Sequence, residues 1–367
     1  MLSQKPSTIA IFITFICFFI PLSYCSLGDD LDEFNDCRFR CEQTACQEGG
    51  KEKLRLGLRL LFWDCKQNCD YQCQQIVTEI RYQNSLEIYQ FHGKWPFRRI
   101  LGSQEFVSAI FSVGNFAVHV RGFQKIVNKV NVHKSPARGH YVMLLFSCGI
   151  TILAWLFSTI FHIRDFPITE TLDYYFAGLT MMVGFYLIIA RYFRLYLPQR
   201  KLAKTVFTGL CTIMYTCHII RLVHNWLYTY NTQVHLALAA FQYIFWALLC
   251  FSLYSLYSFK EKENSIYFKP RNYLQLSHTL FPDFFCSSCK RLSLYPLFLC
   301  FLMSLGMSME IWDFPPVFSL VDAHSVWHFA TIIPFYCGWY DWFIWDIEEN
   351  VVSDIHNSYQ KRFKKVK

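Results

Sequence analysis

The chain is short of charge. Of its 367 residues only 17% are Asp, Glu, Lys or Arg, against 53% hydrophobic and 19% aromatic, and the mean hydropathy is +0.21. So little charge excludes an ordinary soluble domain of this size and makes an integral membrane protein the first expectation. Acidic residues are the scarcer sign, 27 against 35 basic, which leaves a net charge of +8. The basic residues fall mostly between apolar segments, so the excess reads as membrane topology and implies no nucleic-acid partner. Lys and Arg are missing altogether from 224–232 and 313–319.

What is present begins with a leader. Lys5 precedes an apolar run from Ile9 to Ile20, then Pro21 and Ser23-Tyr24-Cys25, the pattern of a signal peptide (1–25) cleaved before Ser26. The run is too short for a bilayer core of roughly 30 Å; an uncleaved anchor is the competing reading. Either way the next segment, 26–104, enters the secretory lumen. It carries Cys37, Cys41, Cys46, Cys65, Cys69 and Cys73, an even number in an oxidising compartment, which predicts a disulfide framework. Spacings of four put sulfurs on one face of short helices and favour two stapled helices. The pairing stays open, and a zinc cluster is the weaker alternative because structural zinc sites use tighter pairs.

Apolar stretches near 105–122, 142–163, 173–193, 203–223, 233–258, 292–312 and 320–340 predict seven transmembrane helices. The fold class is therefore an all-α membrane protein with a luminal disulfide-rich head (26–104), a seven-helix domain (105–345) and a tail (346–367). Lys and Arg crowd the connections between spans 1 and 2, 3 and 4, and 5 and 6, which puts these in the cytosol and the poorly charged ones in the lumen. The N-terminus is then luminal and the tail cytosolic. That tail ends Lys364-Lys365-Val366-Lys367, the dilysine pattern that coat machinery reads to retain proteins in the endoplasmic reticulum; a basic cluster drawn to anionic membrane lipids is the bland alternative.

Ionisable groups within spans cost about 2.5–3.5 kcal/mol each, so several at one depth point to a functional site. Ser158 and His162 lie four apart at the luminal end of span 2, Asp173 opens span 3, and His324 and His328 lie four apart at the luminal start of span 7. Three histidine nitrogens suit Zn2+ with one position open for water, whose pKa the metal lowers towards about 7. Asp173 could pass the proton, and Ser158 could hydrogen-bond the water or the oxyanion. A Ser158–His162 nucleophile pair would leave His324 and His328 unexplained. His218 and His224, six apart, share no face, and Cys286 to Cys289 forms a CxxC with no second pair, read as packed and reduced respectively.

This set resembles the CREST superfamily of seven-helix membrane hydrolases and receptors, with Ser158-Thr159-Ile160-Phe161-His162, Asp173 and His324-Ser325-Val326-Trp327-His328 in the shared places. More closely, the chain is similar to the post-GPI-attachment-to-proteins factor 3 family, in the Trp63-Asp64-Cys65 to Cys73 block, Phe91-His92-Gly93-Lys94-Trp95-Pro96-Phe97, Phe161 to Asp165, Asp313-Phe314-Pro315-Pro316 and Asp322-Ala323-His324. The resemblance implies zinc on His162, His324 and His328, and removal of the sn-2 acyl chain from the phosphatidylinositol of GPI-anchored proteins, in the endoplasmic reticulum or Golgi membrane. A non-enzymatic receptor or chaperone for GPI-anchored proteins and a ceramidase-like amide hydrolase are the rival expectations.

Overall fold

The computed structural model describes residues 26–46, 54–132, 136–264, 269–270, 276 and 278–366. The leader lies outside them, as does Lys367 of the dilysine ending. The described residues form helices and no strand, with isolated bridges only in turns.

The head is two antiparallel helices, α1 (Asp32–Ala45) and α2 (Cys65–Gln83). A capping box starts α2: Asp64 Oδ1 accepts from the Gln67 backbone N–H at 2.8 Å while Gln67 Oε1 accepts from the Asp64 N–H at 3.1 Å. Three disulfides join the pair like nested rungs, Cys37–Cys73, Cys41–Cys69 and Cys46–Cys65. The nesting follows from the antiparallel run of two helices whose cysteines recur each turn. All six sulfurs are covalently paired, so the close grouping of Cys46, Cys65 and Cys69 is a product of stacked disulfides, not thiolates awaiting a metal. Phe34, Val77 and Phe91 fill the small core between the rungs and the following loop.

Six helices are long and apolar enough to cross a membrane. They comprise α3 (Phe106–Val132), α4 (Arg138–Ile163), α5 (Pro167–Tyr192), α6 (Lys201–His224), α7 (Tyr228–Asn264) and α8 (Tyr295–Trp312). Large apolar side chains stay exposed along their outer faces, among them Val206, Ile213 and Ile220 on α6 and Ile244, Leu248 and Phe251 on α7. Helical spacing of this kind, with no protein against it, is a face for lipid; the chain is a multi-pass membrane protein.

The seventh expected span, 320–340, differs. It is split into α9 (Ala323–Tyr336) and α10 (Trp339–Asp346) at Gly338, whose φ of +96° takes the backbone out of the helix. Span 3 also starts earlier than expected, because Pro167 occupies the first helical turn; Asp173 therefore sits well inside α5 and does not open it.

The helices close into a ring. α3 packs on α4, α4 on α5, α5 on α7, α7 on α8, α8 on α9, and α9 returns to α3, while α6 sits outside against α5. Glycines set the approach at the closing seam. A Cβ on Gly306 would lie 2.4 Å from the Ala330 Cβ and one on Gly114 2.7 Å from Ile332, while Gly122 leaves room for the Tyr340 ring. Small residues that let backbones meet are how membrane helices gain packing contacts.

Two measurements check the head. Alkylation without reductant should leave all six cysteines unlabelled, and peptide mapping should recover Cys37 linked to Cys73; any other partner for Cys37 contradicts the nested ladder. The second concerns His92, whose Nε2 lies 3.0 Å from Asp70 Oδ1 and Nδ1 3.2 Å from Asp29 Oδ1. The hydrogen bond to Asp70, aided by the Asp29 charge and opposed by burial and Arg38, raises its pKa. A raised folded value gives stability that is full below about 6.5, the unfolded value, and is lost as pH rises through the folded one. The melting-temperature gap between wild type and His92→Gln should therefore be wider at pH 6 than at pH 8.5, and an equal gap would remove this contact from the stability of the head.

Candidate metal centre

The ends of α4 and α9 meet at the head end of the ring. The capping box of α9, with Asp322 Oδ1 accepting from the Ser325 N–H at 2.9 Å and Ser325 Oγ accepting from the Asp322 N–H at 3.0 Å, fixes where that helix begins and so places His324 in its first turn. His328 follows one turn later. On α4, His162 is the penultimate residue, and its carbonyl accepts from the Glu105 N–H at 2.9 Å, which ties the start of α3 to the same point.

The potential ligand atoms of His162, His324 and His328 all lie within 4.8 Å of one another. Each ring is held by Nδ1: His162 by Glu105 Oε2 at 2.8 Å, His324 by Glu310 Oε1 at 3.0 Å, and His328 by Ser112 Oγ at 3.0 Å. That leaves Nε2 as the nitrogen each ring has to offer. Nε2 of His162 is buried without any hydrogen-bond partner, a cost of about 1–3 kcal/mol for an ordinary polar group. Metal-bound histidines nearly always give the other ring N–H to a carboxylate or similar acceptor, and two carboxylates and a hydroxyl do that here. The donor set fits a transition-metal cation.

Around the triad the polar groups interlock. Ser158 Oγ lies 3.2 Å from Ser112 Oγ, and so reaches His328 through that hydroxyl. Asn115 donates to the His328 carbonyl at 2.7 Å. Asp173 on α5 makes no side-chain hydrogen bond among the described residues and lies in electrostatic reach of His162 and His324. Glu105 is also bound by Lys94 at 2.7 Å, which bridges to Asp165 at 2.9 Å. Burial opposes a charge on Glu105, but the Lys94 ammonium and the His162 ring outweigh it and hold its carboxyl well below the usual range.

The structure thus brings His162, His324 and His328 together, with Ser158 and Asp173 close by. His218 is elsewhere, 3.3 Å from the Tyr230 hydroxyl between α6 and α7, and His224 is exposed. Cys286 and Cys289 are buried free thiols. Sequence reasoning missed Glu105, Glu310 and Ser112. The two carboxylates stand at the ends of otherwise apolar spans, a signal that was available; a serine within a span gives none.

A model of the Per1-like family matches residues 55–347. The chain belongs to the Per1-like family. It is 36% identical to Protein PER1 of Saccharomyces cerevisiae over 92% of this chain and 97% of that one. It is 30% identical to Post-GPI attachment to proteins factor 3 of Drosophila melanogaster, over 84% and 85%, and 28% identical to GPI-specific phospholipase A2-like PGAP3 of Cricetulus griseus, over 85% and 87%. These names connect the Per1-like family with GPI-anchor processing, and the match spans both the head and the ring.

If the carboxylates orient metal-binding rings, Glu310→Gln should lower the affinity for a divalent transition metal by about 10- to 100-fold, read by competition with a chelator on purified protein. Affinity unchanged in both Glu310→Gln and Glu105→Gln would argue against a metal at the triad.

Proposed function

We propose that this Per1-like chain is a zinc-dependent hydrolase that removes the sn-2 acyl chain from the phosphatidylinositol of GPI-anchored proteins. The observation that carries the reading is the convergence of three imidazoles, each fixed at Nδ1 by an acceptor and left with Nε2 to offer. The relatives, which include GPI-specific phospholipase A2-like proteins, suggest the bond and the substrate.

In this reading His162, His324 and His328 would hold Zn2+, which supplies Lewis acidity and an acidified water when bound. Asp173, which makes no side-chain hydrogen bond among the described residues, takes the proton of the attacking water on its carboxylate and returns it to the departing glycerol oxygen. Water adds across the ester, giving a free fatty acid and a lyso-lipid that keeps its anchored protein. Ser158 acts through Ser112, which holds the His328 ring in register. His162, His328 and Ser158 are buried, which strengthens the contacts that they make.

The same reading divides the chain into a leader (1–25), a luminal head (26–104), a seven-crossing hydrolase domain (105–345) and a cytosolic tail (346–367). α9 and α10 then form a seventh, broken crossing; irregular backbone at that depth is tolerated where protein covers it, and Tyr340, Trp342 and Ile344 around the break are buried. The triad falls just below the luminal headgroups, where the sn-2 ester of a lipid lies. Residence in the endoplasmic reticulum or Golgi membrane follows from the leader and from coat machinery reading Lys364 and Lys365.

The test combines metal content with lipid analysis. His162→Ala, His324→Ala and His328→Ala should each lose bound zinc and lyso-anchor formation together. Asp173→Asn should keep the metal while turnover falls by about 10²- to 10⁴-fold, and Ser158→Ala should fall between wild type and the histidine variants. Mass spectrometry of GPI anchors from complemented cells gives the second readout. Full activity in all three histidine variants would sink the hydrolase and favour a receptor or chaperone.

A further inference from the structure

Between the head and the mouth of the ring lies a cleft of about 380 Å³, within the range of small-molecule sites. Its acidic residues are largely engaged. Asp70 is taken by His92 at 3.0 Å and Arg38 at 3.8 Å, and Asp165 by Lys94 at 2.9 Å. Arg99 and Arg164, which also line the cleft, have no carboxylate within 4.0 Å among the described residues.

Both guanidinium groups press on one indole, Arg99 at 3.3 Å and Arg164 at 3.7 Å from the Trp63 ring centre. Arg99 also stacks on Tyr71, and Arg164 on Phe166. Their hydrogen bonds go only to uncharged acceptors: Asn68 Oδ1 and the Gln67 carbonyl for Arg99, and the carbonyls of Leu61 and Asp165 with Gln67 Oε1 for Arg164. Arg99 Nε is buried without a partner. Burial and the neighbouring like charge push the proton affinity of Arg99 down to about 9. Two adjacent cations, fixed by stacking and with no carboxylate in salt-bridge reach among the described residues, suit an anionic ligand.

The chemistry of the anion follows from shape and position. A planar guanidinium fork matches phosphate oxygens bidentately, and the amides of Gln67, Gln74 and Gln104 on the same walls suit hydroxyl groups. The cleft adjoins the triad, since Arg164 follows His162 by two residues and Lys94 on its wall reaches His162 through Glu105.

We propose that Arg99 and Arg164, with Lys66 at the rim, seat the phosphodiester of an inositol-containing lipid headgroup while its acyl ester lies at the histidine triad. This rests on the reading of the chain as a GPI-lipid hydrolase, but the binding it calls for does not depend on turnover.

The experiment is a titration of the full-length protein, in phosphate-free neutral detergent, with glycerophosphoinositol, inorganic phosphate or myo-inositol. Wild type should bind glycerophosphoinositol saturably, more weakly as salt rises, and at least about tenfold more tightly than either fragment. Arg99→Gln and Arg164→Gln should each lose about tenfold or more, Arg99→Lys less, and Arg98→Gln, exposed outside the cleft, nothing. His324→Ala should bind like wild type. Equal affinity for inorganic phosphate and glycerophosphoinositol, or no saturable binding by wild type, overturns the headgroup site without recourse to any variant that fails to fold. So does wild-type affinity in folded Arg99→Gln and Arg164→Gln. Binding lost in those variants with no lyso-lipid formed by any protein would keep the headgroup site and sink the hydrolase, whereas hydrolysis without binding would do the reverse.

Discussion

Everything at the candidate metal centre depends on α9 lying against α3. Two of the three histidines come from one end of the membrane region and the third from near the other, and only a ring whose last segment returns to its first puts them side by side. The closing contact is steric: Gly114 and Gly122 on α3 and Gly306 on α8 leave space for Ile332, Tyr340 and Ala330. A methyl group at any of these positions would meet an atom at under 3 Å, so the neighbour has to move. Interiors are packed too densely to absorb such a shift locally, and a displaced α9 carries His324 and His328 with it.

The rings are then oriented by charge. Glu105 and Glu310 are carboxylates at span ends, and the cost of placing them there is offset by histidine N–H groups and, for Glu105, by Lys94. Through Lys94 the network leaves the ring and enters the segment after the head helices. Arg164 makes a second link, donating to Gln67 Oε1 at 2.7 Å, the side chain that also caps α2. The head is thus joined to the residues flanking His162 by polar contacts through Lys94 and Arg164, and its stiffness, set by three disulfides, is passed to the mouth of the site.

Much of this was legible in the sequence because its signals are local. Helical spacing alone pairs Ser158 with His162 and His324 with His328, and apolar length alone locates six spans. The seventh was not legible as two pieces, since its composition runs on unbroken and only the backbone at Gly338 shows the split. Disulfide pairing was also out of reach: six cysteines allow 15 arrangements, and the choice rests on the antiparallel docking of α1 on α2. Glu105, Glu310 and Ser112 act across helices, with partners 57, 14 and 216 residues away, so no periodicity links them to the triad. The depth of Asp173 was misjudged by hydropathy, which starts a span where polar residues end; Pro167 starts the helix earlier, and the carboxylate lies a turn and more inside.

That depth has a chemical consequence. A carboxylate at the very mouth of the ring would be solvated and would exchange protons with bulk water rather than with a bound substrate. Placed inside α5 and partly buried, with no side-chain hydrogen bond among the described residues, Asp173 keeps an oxygen free in a region where charges are poorly screened. The other carboxylates nearby, Glu105 and Glu310, are each bound to a histidine and have no such freedom. Two acids hold the rings, and a third near them is left unengaged among the described residues; the proposed hydrolysis calls for that division of labour, with fixed carboxylates to orient metal ligands and a separate one to carry a proton.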